Sequence, residues 1–176
     1  HLIDVPKELE TAMEMVLGGS LQNVVTQDEE TAQELINYLR QNRFGRTTFL
    51  PISAVNGRSL SAQERNVLNL PGCLGVASEL IQYDAQYQGI IASLLGRTVV
   101  ARDLDAAIAI SRAGRQSFHV VTLQGDVMRA GGAMTGGSIQ SKTVSLLGRE
   151  REIKELAESL NKRMDALKTF QENFST

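Results

Sequence analysis

The chain has 176 residues, 42% of them hydrophobic, with 18 basic and 20 acidic side chains and a formal charge of −2. That is enough mass for one domain or two small ones with a buried core. A bulk charge this near zero does not announce nucleic-acid binding, so any such contact must come from local patches.

Cys73 is the one cysteine, which excludes an intrachain disulfide and a cysteine-based zinc site and agrees with a reducing cytoplasm. No apolar run approaches the roughly 20 residues that span a bilayer. The start at His1-Leu2-Ile3, without Met, reads as that of an excised piece.

In chain order, the first pattern lies just after Pro6: Leu9, Ala12, Met13, Val16 and Leu17 recur at helical spacing. It predicts one buried helix face, ended by Gly18 in the left-handed position. Val24-Val25-Thr26 reads as a short β-branched strand. Asp28 is placed to cap the next helix, which carries Ala32, Leu35, Ile36 and Leu39. A turn at Gly45-Arg46 leads into a strand, Thr47-Thr48-Phe49-Leu50. Asn56-Gly57 and Pro71-Gly72 then mark a connection.

The same order recurs in the second half. Tyr87, Ile90, Ile91, Leu94, Leu95 and Gly96 repeat the first helix and its terminator at an offset of 78 residues (Leu9 to Tyr87, Gly18 to Gly96), and Leu80-Ile81 answers Leu2-Ile3. With looser spacing, Thr98-Val99-Val100, the cap Asp103, a helix carrying Leu104, Ala107 and Ile108, the turn Gly114-Arg115 and the strand Phe118-His119-Val120-Val121 follow. The expected fold is mixed α/β (α+β): two α/β subdomains related by an approximate internal two-fold. Residues 1–60 form the first, clipped at its N-terminal opening; 61–75 connect; 76–144 form the second; 145–176 begin a long helix.

Gly131-Gly132-Ala133-Met134-Thr135-Gly136-Gly137-Ser138 comes close to a phosphate-binding loop. Gly137 stands where that loop needs its lysine, and polar residues follow Ser138 where it needs a helix, so nucleotide binding is not expected. Two readings stay open on the residues alone: a flexible spacer, or a place where a partner strand approaches the backbone closely.

From Ser145 the pattern becomes a charged helix. Ile153, Leu156, Leu160, Leu167, Phe170 and Phe174 fit heptad a and d positions, with Arg163 interrupting one. Glu150 with Lys154 and Glu158 with Lys162 form supporting pairs.

A repeated α/β unit, the Gly-rich octet and Leu146-Leu147-Gly148-Arg149 opening a coiled coil together resemble the hinge domain of structural maintenance of chromosomes (SMC) proteins. Phe44-Gly45-Arg46-Thr47-Thr48-Phe49-Leu50-Pro51 and Thr122-Leu123-Gln124-Gly125-Asp126 extend the likeness over essentially the whole chain, and the start of the coil looks most like bacterial members. The resemblance implies a homodimer, with Gly131, Gly132, Met134, Thr135, Gly136 and Gly137 at the contact. It implies weak, sequence-independent DNA binding through Lys142, Arg149, Arg151 and Lys154 at the junction with the coil. It also implies an antiparallel coiled-coil strand from an N-terminal arm as the helix's mate, and an ATPase head formed elsewhere in a nucleoid-associated, cytoplasmic protein of chromosome condensation and segregation. Gln140-Ser141-Lys142 departs from the lysine cluster of some bacterial relatives, which implies a weaker DNA site.

Catalysis is not expected, nor a cofactor or metal. His119 sits in an apolar strand as a structural histidine, no G-x-S-x-G motif is present, and Asp28-Glu29-Glu30 opens a helix, where its dipole favours acids. A ligand-sensing pair of α/β units is the alternative function.

Overall fold

The computed structural model describes residues 2–139 and 149–174. It forms two compact units, residues 1–139 and 140–176. The first half of the larger unit runs β1 (Ile3–Asp4), α1 (Glu10–Leu17), β2 (Val24–Thr26), α2 (Glu29–Asn42) and β3 (Phe49–Pro51). The second half runs β4 (Cys73–Val76), β5 (Gln82–Tyr83), α3 (Gln88–Leu95), β6 (Thr98–Ala101), α4 (Leu104–Ala113), β7 (His119–Thr122), β8 (Val127–Met128) and β9 (Met134–Thr135).

Several elements recur in both halves. α1 and α3 are both 8 residues long. Each half then builds a strand–helix–strand unit with parallel strands, Val24 opposite Phe49 in one and Thr98 opposite His119 in the other. Parallel neighbours need such a crossover. β1 and β5 pair antiparallel and place Asp4 opposite Gln82, the residues equivalent under the sequence offset.

Both helical crossovers start on an aspartate cap. The Thr31 amide donates to Asp28 Oδ1 at 2.7 Å and the Ala106 amide to Asp103 Oδ1 at 2.9 Å. Those bonds hold both carboxyls below their ordinary pKa. Asp28→Ala and Asp103→Ala should each lower the melting temperature by about 2–4 °C, with Asn at either position restoring most of it, read by thermal circular dichroism.

Neither helix terminator takes the left-handed helical conformation expected. Gly18 has a positive φ but a ψ far from it (50°, −127°). Gly96 is right-handed (φ −69°). Glycine is required there because a Cβ would run into the carbonyl oxygens of Arg58 and Ala92. After α4 the left-handed residues are Arg115 and Gln116 (φ 55° and 53°).

The core lies in the second half, on the sheet ordered β4-β6-β7-β8-β9. Strand alternation sends Val99, Ala101 and Val120 to one face, where they pack with Ala106, Ala107 and Ile110 of α4 and with Leu60, Val67 and Phe118. Val100 and Val121 point the other way, are fully buried, and lie on the side of α1, which contacts β7 and α3. Residues 61–75 are folded into this body: Glu64–Asn69 form a 3-10 helix that buries Val67, and Cys73 begins β4.

The first half is thinner. β2 and β3 make a two-stranded sheet by themselves, and of the apolar residues on α2 only Ala32 is buried. Leu35 and Ile36 are 37% and 41% exposed. The cause is geometric: two strands cannot cover a helix of 14 residues. The smaller unit is α5 (Arg149–Phe174), a helix of 26 residues with Leu160, Met164 and Leu167 exposed. The part of the expected helix from 145 to 148 lies outside the described residues.

Candidate functional site

The Gly-rich segment forms the turn and outer strand of a β8–β9 hairpin. Val127 pairs with Thr135 and Met128 with Met134, while the Arg129 amide donates to the Ala133 carbonyl at 2.8 Å. In an antiparallel ladder bonded and non-bonded pairs alternate. The Arg129–Ala133 bond therefore turns the N–H and C=O of Met134 away from β8, to the open edge of the sheet. Met134 and Thr135 are both exposed.

Each glycine of the segment has its own reason. Gly131, Gly132 and Gly137 sit at φ 93°, 102° and 128°, a region closed to most side chains. Gly136 is there for space, since a Cβ would come within 2.5 Å of Asp126 Oδ1. Asp126 is itself fixed, accepting the Thr122 hydroxyl at 3.0 Å and donating its amide to Thr122 Oγ1 at 3.0 Å. The segment is a hairpin, and the residues after Gly137 up to Ile139 are not helical, unlike a phosphate loop.

The hairpin turn is anchored from behind. The Ala130 amide donates to His119 Nδ1 at 3.0 Å and the Gly131 amide to the Gln116 carbonyl at 2.8 Å. Burial first, then the charges of Arg129 and Arg97, lower the pKa of His119. His119 and Ala130 line a cavity of about 370 Å³ that also meets Arg58 and Arg97.

Beside this cavity lies a polar cluster that the residue pattern did not announce. Arg97 grips Glu64 through both guanidinium nitrogens, at 3.0 and 2.7 Å, and donates to the carbonyls of Ser59 and Ser117 at 3.1 and 2.8 Å. Glu64 also accepts the Ser117 hydroxyl at 2.6 Å and the Ser61 amide at 2.9 Å. Its carboxyl is held far below the ordinary range, chiefly by Arg97 and then by Ser117. Ser61 in turn accepts the Glu64 amide at 3.1 Å, a reciprocal cap whose S-x-x-E spacing was a usable signal. The cluster straps residues 59–64 to the starts of β6 and β7. It leaves Arg97 fully engaged, which argues against a DNA contact there.

Of the expected DNA residues, Lys142 lies outside the described residues, and Arg149, Arg151 and Lys154 all belong to the start of α5. Arg102 faces Asp103 at 3.4 Å. Among the described residues no group of three His, Cys, Asp or Glu could hold a metal, and no helix is long and apolar enough to cross a membrane.

The second exposed feature is the outer side of the first half. The Val24 amide donates to Thr48 and the Ile52 amide to Thr26, which turns Leu50 toward β2 and Phe49 and Pro51 outward. Pro51, without an N–H, is compatible with that open edge. Around it Leu35, Ile36, Tyr38 and Phe44 remain exposed, the last two rings stacked at 5.9 Å and tilted by 57°.

The sequence and the fold are both similar to those of known proteins. The family model described as the SMC proteins flexible hinge domain matches residues 1–111. The chromosome partition protein Smc of Halothermothrix orenii is 41% identical over 165 residues, 94% of this chain and 14% of the relative. That of Bacillus subtilis is 42% identical over 161 residues, again 14% of its length. The crystal structure of an asymmetric dimer of the Geobacillus stearothermophilus SMC hinge domain superposes with a TM-score of 0.79 at 40% identity, covering 97% of this chain and 69% of that one. The Pyrococcus furiosus SMC hinge with an extended coiled coil gives 0.64 at 27%, covering 98% and 57%. With the family model covering most of the chain and relatives above 40% identity, this chain belongs to the SMC flexible hinge domain family.

Proposed function

We propose that the chain is a homodimerisation hinge joining two coiled-coil arms of a chromosome-partitioning SMC protein, in which two half-domains related by an approximate two-fold exchange edges between copies. The observation that carries this reading is the pair of complementary open edges on one chain. β9 presents the N–H and C=O of Met134, and β3 presents those of Phe49, beside the exposed apolar surface of α2. The repeat indicates how they fit. In the second half β7 continues to β8 and β9, whereas its counterpart β3 has no strand beyond it. A partner's β9 laid along β3 would fill that place, and the exchange would occur twice per dimer. The similar Geobacillus stearothermophilus hinge, crystallised as an asymmetric dimer, supports homodimerisation itself.

The whole protein is read as a cytoplasmic, nucleoid-associated ATPase whose head lies outside this sequence, the hinge itself doing no catalysis. α5 takes as its mate an antiparallel strand from an N-terminal arm. Sedimentation equilibrium tests the central claim: the chain should be dimeric at micromolar concentration, and a monomer across that range rejects the dimerisation reading.

DNA contact is a second, finer part of the reading, carried by Lys142, Arg149, Arg151 and Lys154 near the start of α5. Phosphate contacts give weak, sequence-independent affinity that falls steeply with salt. Changing all four to Glu should remove DNA binding in a fluorescence-anisotropy titration and leave the dimer intact. Unchanged affinity would move the site elsewhere, with Arg115 the next residue to change.

A further inference from the structure

We propose that His119 is a pH-sensitive latch on the β8–β9 turn: its neutral ring holds the Ala130 amide, and protonation releases the turn and weakens dimerisation through β9. The inference rests on reading β9 as the dimer edge.

The geometry sets the switch. Nδ1 accepts the Ala130 N–H at 3.0 Å, so it must carry a lone pair. An imidazolium has N–H groups at both nitrogens, and two donors would then face each other. Ala130 stands directly before Gly131 and Gly132, whose positive φ angles set the direction in which β9 leaves the turn. The remaining ties of that turn are backbone bonds: Gly131 to Gln116, Gly132 to Arg129, and Arg129 to Ala133. None of them responds to pH.

The charged groups around the ring all favour its neutral form. Arg129 comes from the turn, Arg97 from the start of β6, and Arg58 lines the same cavity from the connecting segment. The one nearby acid on these elements, Glu64, is already paired with Arg97. Burial acts in the same direction, so the folded pKa lies below the ordinary value of 6.5. A depressed pKa means that the anchored state keeps its full advantage above 6.5 and loses it as pH falls through the lower folded value. The cavity beside the ring, about 370 Å³, gives water a route to it.

Two readouts on the intact chain test the latch at about pH 7.5 and about pH 5, above and below the ordinary histidine value. One is the amide shift and hydrogen exchange of Ala130; the other is the dimer Kd by sedimentation. Acidification should move the Ala130 amide and raise the Kd by about threefold to tenfold, the worth of one net hydrogen bond. His119→Asn, whose Oδ1 accepts in place of Nδ1 but does not titrate, should be flat in both. His119→Phe, lacking the acceptor, should be weak at both pH values. An Ala130 amide that titrates with no change in Kd overturns the coupling, and an amide that does not titrate overturns the latch. A chain monomeric at both pH values instead sinks the dimerisation reading, whatever Ala130 does.

Discussion

Replacing Met134 by proline is expected to turn the dimer into a monomer without unfolding it. The Met134 N–H faces the open edge, since the neighbouring bond runs from Arg129 to Ala133. Proline there removes no hydrogen bond inside one chain, and an edge strand tolerates its fixed φ. In a strand-exchanged dimer the same change deletes a donor and sets a ring against the partner backbone at both contacts. The loss should be about 100-fold or more in Kd, from about 3 kcal/mol summed over the two contacts.

The fourfold Gly131, Gly132, Gly136, Gly137→Ala variant is a less selective version of this experiment. Three of those residues hold positive φ within one chain and the fourth abuts Asp126. Alanine therefore strains the hairpin itself, by about 1 kcal/mol at each left-handed position. That variant should be both monomeric and less stable, whereas Met134→Pro should melt within a few degrees of the parent. A Met134→Pro chain that still sediments as the parent dimer would falsify the edge assignment.

Arg97→Ala should produce the largest loss of stability, about 2–3 kcal/mol, seen as a fall in melting temperature of about 5–10 °C. The substitution strips Glu64, only 17% exposed, of its cation, and takes a donor from the Ser59 and Ser117 carbonyls. The effect has a pH signature. The Glu64 carboxyl is depressed from 4.5, so its contribution is present above that value and drains away as pH falls below it. The stability gap between the parent and Arg97→Ala should accordingly narrow in acid. Urea denaturation from neutral pH down to about pH 3 measures this, and a constant gap would show that the pair contributes no pH-dependent stability.

Much of this protein was legible in its residues because the signals are local. Asp28 and Asp103 announce caps through a side chain that reaches an amide three residues on. Val24-Val25-Thr26 and Thr98-Val99-Val100 became strands because β-branched residues fit an extended backbone. The offset of 78 residues between Leu17 and Leu95 is a comparison of sequence with itself and needs no coordinates.

Other properties depend on which segments the fold brings together, and no short window holds that information. Glu64 and Arg97 are 33 residues apart, and their bond forms where the first residue of the 3-10 helix meets the residue just before β6. Gly18 and Gly96 are equivalent in sequence, yet one is needed for its φ and the other for the carbonyls packed against it. The apolar stripe of α2 has the right spacing for burial but only two strands beneath it. Periodicity along the chain established that this helix has an apolar face; only the arrangement of strands decided that the face would stay open, because burial depends on the area that neighbouring elements supply.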